Sequence, residues 1–119
     1  MGTLGMFEVR STYGQQTGAQ TKAVLAAGGF VAIRVAATMS DRTRSAMVFG
    51  AVRLLGANVA LDLFGVGSTL TFPLSQVYEA RPIVEPELRA RGVMPAMCDT
   101  NRRHVANGAL TAFETTPND

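Results

Sequence analysis

Apolar side chains recur at every second residue in three separate stretches of this chain, a spacing that few folds can absorb. Between Phe30 and Thr38, Val31, Ile33 and Val35 fall on one side, and Ala32, Arg34 and Ala36 on the other. From Asn58 to Phe64, Val59, Leu61 and Leu63 alternate with Asn58, Ala60 and Asp62. Leu70, Phe72 and Leu74 then alternate with Thr69, Thr71 and Pro73. Successive side chains of an extended strand point to opposite faces, so each stretch predicts a strand with one buried face. Gly65-Val66-Gly67-Ser68 is a turn signal and predicts a hairpin between the last two. Pro73 has no N–H to give a ladder, which puts its strand at a sheet edge or ends its pairing there.

The remaining segments are less regular. Phe7, Val9 and Ser11 alternate with Glu8, Arg10 and Thr12 and predict a short strand. Thr17 is placed to cap a helix over 19–27, stopped by Gly28-Gly29. Residues 46–55 fit either a strand or a helix; Gly50 and the β-branched Val48 and Val52 favour the strand. Pro86 suits the first position of a short helix ending at Gly92. Asn107-Gly108 predicts a two-residue hairpin pairing Ala106 with Ala109, Val105 with Leu110 and His104 with Thr111. The expected fold is therefore mostly β: an antiparallel sandwich or barrel of about six strands with one or two short helices, with α+β as the alternative. The 119 residues make a single domain, 1–119, with flexible polar ends at about 1–5 and 115–119.

Charge narrows the partners. Only 17% of residues are charged, so much of the surface is neutral and suited to burial against other subunits. The net charge of +2 is too small to mark a nucleic-acid binder by itself. Arginines do gather in one region, however: Arg42 and Arg44 in a polar connection, with Arg34 and Arg53 on the flanking segments. These four are the candidate contacts for an anionic partner. The single lysine, Lys22, lies outside every predicted strand, and only Pro73 stands out as an edge guard, so strand edges are expected to need neighbours. Cys98 is the sole cysteine, which excludes an internal disulfide. No basic-then-apolar leader is present, and no stretch supplies the ~20 nearly uncharged residues of a bilayer span. The expected location is cytoplasmic or within a virion.

Motifs for chemistry are missing. Gly65-Val66-Gly67 lacks the third glycine of a dinucleotide loop, because position 70 is Leu70. Cys98 and His104 are the only Cys and His, too few for structural zinc, so neither a metal nor a cofactor is expected. They are also the only nucleophile and base of the types a catalytic pair requires, while Asp62 and Glu79 are the candidate paired carboxylates. The chain therefore reads first as a non-enzymatic structural or assembly protein acting through self-association, a virus or phage particle component being one instance. A small-ligand-binding β-barrel or an enzyme of undefined class is the alternative. A nucleic-acid-binding protein using the arginine patch is the third reading.

Overall fold

The computed structural model describes residues 16–36 and 45–118. The element order is α1 (Gly18–Ala27), β1 (Gly29–Ala36), β2 (Ser45–Leu55), β3 (Asn58–Leu63), β4 (Ser68–Pro73), a 3-10 turn (Leu74–Gln76), β5 (Val77–Pro82), α2 (Glu85–Arg89), α3 (Val93–Ala106) and β6 (Glu114–Pro117). All six strands belong to one sheet in the order β5-β1-β2-β3-β4-β6, and every neighbouring pair is antiparallel. The chain is thus mostly β, antiparallel and six-stranded with short helices, as its alternation predicts. The candidate strand at Phe7–Ser11 lies outside the described residues.

Alternation decides what each face of the sheet does. Val31, Ile33, Val48, Val59, Leu61, Leu70 and Phe72 point to one face and are essentially inaccessible. Each such burial stabilises by about 1.5–3 kcal/mol. Leu25 of α1, together with Leu110 and Phe113, completes this core, and the Phe113 ring packs against Phe72 at 5.7 Å. β2 has eleven residues because it serves two neighbours: 45–52 pair with β1 and 50–55 with β3. The overlap falls at Gly50. A Cβ there would stand 2.8 Å from the Asp62 carbonyl carbon and closer still to its oxygen, a crossing that only glycine permits. Residues of β1 through β5 thereby share one core, as in a barrel.

The opposite face is covered by α2 and α3. Asn101 fixes α3 to it. Its carboxamide accepts from the Phe49 N–H at 3.1 Å and donates to the carbonyls of Phe49 at 2.8 Å and Phe64 at 3.1 Å. β3 ends at Leu63, so β2 runs past its partner at this point. The fully buried amide supplies the missing backbone partners.

Local signals explain most boundaries. Thr17 caps α1 in a reciprocal box: its hydroxyl accepts from the Gln20 N–H at 3.0 Å and its own N–H donates to Gln20 Oε1 at 2.9 Å. Residues 46–55 are strand, and the hairpin around 65–67 forms. Pro73 ends β4, whose pairing to β6 stops at Thr71.

The predicted C-terminal hairpin is not formed. Residues 93–106 are helical, and Asn107-Gly108 ends the helix. Gly108 takes φ 78° while its N–H donates to the Val105 carbonyl, and the Ala109 N–H donates to that of His104, a Schellman closure. Positive φ at Asn-Gly serves a helix end as well as a hairpin, and Val93, Met97 and Asn101, four residues apart, supply the helical face that decides between them. His104 therefore does not face Thr111 across a ladder. Gly92 is likewise the N-cap of α3, not the stop of α2, which begins at Glu85 with Pro86 second. β5 was not anticipated, because Arg81-Pro82 reads as a break; residues 114–117 pair with β4 as β6. Among the described residues no helix is long and apolar enough to cross a membrane.

Candidate assembly surface

The four candidate arginines are distributed as follows. Arg42 and Arg44 lie outside the described residues. Arg34, on the α3 side of β1, donates to Glu79 Oε1 at 3.3 Å. Arg53 reaches Asp62 Oδ1 at 3.5 Å. Arg34 pairs in register with Met47, which is six residues from Arg53 along β2, so the two arginines are separated by about 20 Å of strand. Each has a carboxylate beside it, as do Arg81 (Glu87, 3.1 Å), Arg89 (Glu85, 3.6 Å) and Arg102 (Asp99, 2.7 Å). Most of these pairs are open to solvent and add little to stability, but they offset the positive field. The hydrogen bonds from Arg81 hold the Glu87 carboxyl below the usual range; burial opposes them, and the Arg81 charge adds a lesser push in the same direction.

The residues considered for catalysis are not brought together. Cys98 and His104 both lie on α3, and a six-residue offset sets their side chains about 120° apart around the helix and about 9 Å along its axis. Cys98 packs under the 65–67 turn, where a Cβ on Gly65 would stand 2.6 Å from the Cys98 Cβ. His104 Nδ1 is buried without a partner among the described residues. Burial lowers the imidazole pKa, the Arg103 charge lowers it further, and a backbone hydrogen bond with Met47 opposes both. Asp62 on β3 and Glu79 on β5 are three strand spacings apart, about 14 Å, wider than acid–base pairs on a glycoside require. Asp62 is engaged by the Thr69 hydroxyl at 2.6 Å as well as by Arg53. Among the described residues no three Cys, His, Asp or Glu side chains gather as metal ligands.

Among the described residues, three of the surface grooves have volumes of about 100, 310 and 290 Å³. Arg91, in the groove along α3, is the only charged residue lining any of them, and none reaches His104.

The two sheet edges and the α3 face remain. Antiparallel pairs alternate between bonded and non-bonded, so the bond from the Ile83 N–H to the Phe30 carbonyl turns the backbone groups of Pro82 and Ala80 outward. Pro82 has no N–H. The Gln16 carboxamide takes both groups of Ala80: the Ala80 N–H donates to Oε1 at 2.8 Å, and Nε2 donates to the Ala80 carbonyl at 2.8 Å. On the other edge, the bond from the Asn118 N–H to the Gly67 carbonyl turns Thr115 and Pro117 of β6 outward, and Pro117 again lacks a donor. Both edges are therefore guarded within the chain, which corrects the expectation that Pro73 alone served that purpose.

The α3 face is less complete. Its apolar layer has three buried residues, Ala32, Ile83 and Met97, and six that are only partly covered, among them Phe49 and Phe64. Phe30 stacks edge-on against Phe64 at 5.3 Å yet is 44% exposed, and Val84, next to Ile83, is 55% exposed.

Comparison with known proteins gives no relative. No family model matches the chain, and neither a curated protein nor a solved structure matches it. The surface must therefore be understood from its own residues. Sequence patterning pointed to none of Phe30, Val84 and Gln16. Phe30 opens a strand whose alternate positions are apolar on both faces, so exposure is not written in its periodicity. Gln16 acts through a partner 64 residues away. Pro82 did carry a signal, since proline inside a strand marks an edge.

Proposed function

We propose that this is a non-enzymatic structural or assembly protein that acts by self-association through the α3 face. The observation that supports it is the half-covered apolar layer, with Phe30 exposed against the partly buried Phe64 and Val84 exposed at the start of α2, next to Ile83. Contiguous apolar surface of this kind is a common mark of protein contact sites. A second copy suits the surroundings. α2 flanks Val84 with the exposed, oppositely charged Glu85 and Arg89, a mixed-sign pair that a self-complementary two-fold contact can match with its own copy. Guarded edges leave a face as the accessible surface. Within this class we put forward a virus or phage particle component, by analogy with other small β-rich domains.

Size-exclusion chromatography with light scattering tests the proposal. The wild type is expected to run as a dimer or larger species at micromolar concentration. Phe30→Ser with Val84→Ser is expected to run as a folded monomer. A wild type that is monomeric across a hundredfold concentration range overturns the assignment and favours the small-ligand reading.

A further inference from the structure

We propose that the Gln16 side chain is an intramolecular stand-in for a paired strand, and that its release opens the β5 edge to the β5 strand of a second copy. The contact is built as a plug. Gln16 Oε1 accepts from the Ala80 N–H at 2.8 Å and from the Thr21 hydroxyl at 2.7 Å, while Nε2 donates to the Ala80 carbonyl at 2.8 Å. A neighbouring strand would make the same two bonds to Ala80. Thr21 is buried in α1, and the capping box fixes the residue next to Gln16, so the carboxamide is held from two sides. Ala80 is also the one residue of the 80–82 edge that offers both an outward donor and an outward acceptor, because Pro82 has no N–H.

The occupant follows from the edge itself. An antiparallel two-fold pairing centred on Ala80 sets Ala80 against its own copy, and each donates to and accepts from the other. In that register Glu79 falls opposite Arg81 of the second copy, and Arg81 opposite its Glu79. Opposite charges directly across an antiparallel pair are favourable, and like charges there are not. The edge is thus complementary to itself in sequence as well as in backbone, and Gln16 is what occupies it. This deepens the self-association reading by adding a second, gated contact, but the gate is measured independently of the α3 face.

The test uses full-length chains carrying Phe30→Ser and Val84→Ser, so that the α3-face contact is absent. Amide hydrogen exchange at Ala80 is read with and without Gln16→Ala, and particle mass is read by light scattering over a concentration series. In the dilute monomer, Gln16→Ala is expected to speed Ala80 exchange at least tenfold. With rising concentration its mass is expected to double and the Ala80 amide to become protected again. Adding Arg81→Glu is expected to abolish the doubling and leave the dilute exchange rate fast. If Gln16→Ala unfolds α1, Gln16→Met serves instead, since it keeps the length of the side chain and loses both bonds to Ala80. Unchanged exchange at Ala80 overturns the plug. Fast exchange with no mass increase, or a mass increase that Arg81→Glu does not affect, overturns the strand pairing. Failure of the α3-face reading shows instead in the parent wild type, as a monomer without any substitution.

Discussion

Replacing Gly50 by alanine adds one methyl group at the tightest crossing in the sheet. The new Cβ would stand 2.8 Å from the Asp62 carbonyl carbon and 3.3 Å from Leu61 Cγ, whereas ordinary contact begins near 3.4 Å. β3 must therefore retreat by more than half an ångström where β2 passes from one neighbour to the other. The Leu61 side chain is fully buried and has no room to yield. Overpacking of this kind costs about 1–3 kcal/mol. The retreat also stretches the ladder bonds on either side, Phe49–Phe64 among them, at about 1 kcal/mol each. The expected loss is about 3 kcal/mol, a large part of the roughly 5–15 kcal/mol that holds a domain together. Urea unfolding monitored by circular dichroism measures it, with Gly18→Ala as control. Gly18 opens α1 with nothing within 4 Å of an added Cβ, so that change is expected to be neutral or to stabilise by up to about 1 kcal/mol. A Gly50→Ala midpoint indistinguishable from wild type at equal m-value would refute the argument that β2 is shared through a close crossing.

Two further outcomes follow from side chains on α3. Asn101→Leu keeps the branched shape but leaves the Phe49 N–H and the Phe64 carbonyl without their partner, and is expected to cost about 3 kcal/mol, read as a shift of the urea midpoint with accelerated amide exchange across α3. His104 has its pKa lowered on folding, so the native state favours the neutral ring; its contribution to stability is present above the unfolded value near 6.5 and is lost as pH falls through the folded value. Thermal melts from pH 8 to pH 5 should show this loss in the wild type, and His104→Gln should flatten it.

Legibility in the sequence followed the range of the interaction. Strands β1, β3 and β4 were readable because one face of each is buried along its length, so period two is imposed on consecutive residues. The α1 cap was readable because Thr17 and Gln20 lie within one turn. Asn107-Gly108 was readable as a demand for positive φ, but not as to which structure made the demand. A Gly108→Val change is unfavourable in either setting, and only the helical face upstream distinguishes them. β5 escaped notice because its partner, β1, lies far back along the chain and its own residues, Tyr78 to Pro82, alternate poorly. The candidate surface was the least legible. Low charge indicated neutral surface, but the exposure of Phe30 depends on where α3 stops covering the sheet, and the closure of the β5 edge depends on a glutamine whose composition and spacing carry no mark.

The sharing of β2 between two neighbours also orders the assembly of the sheet in time. Closing β3 onto β4 joins Asp62 to Thr69, whereas closing β1 onto β5 joins Val35 to Val77. The longer loop costs about 1.6 kcal/mol more in chain entropy before any contact repays it. The β2–β3–β4 meander is therefore the natural nucleus, and β5 docks on a β1 edge that has stood open meanwhile. Gln16 has nothing to bind until Ala80 arrives. The helix made before every strand of the sheet is thereby among the last elements to lock.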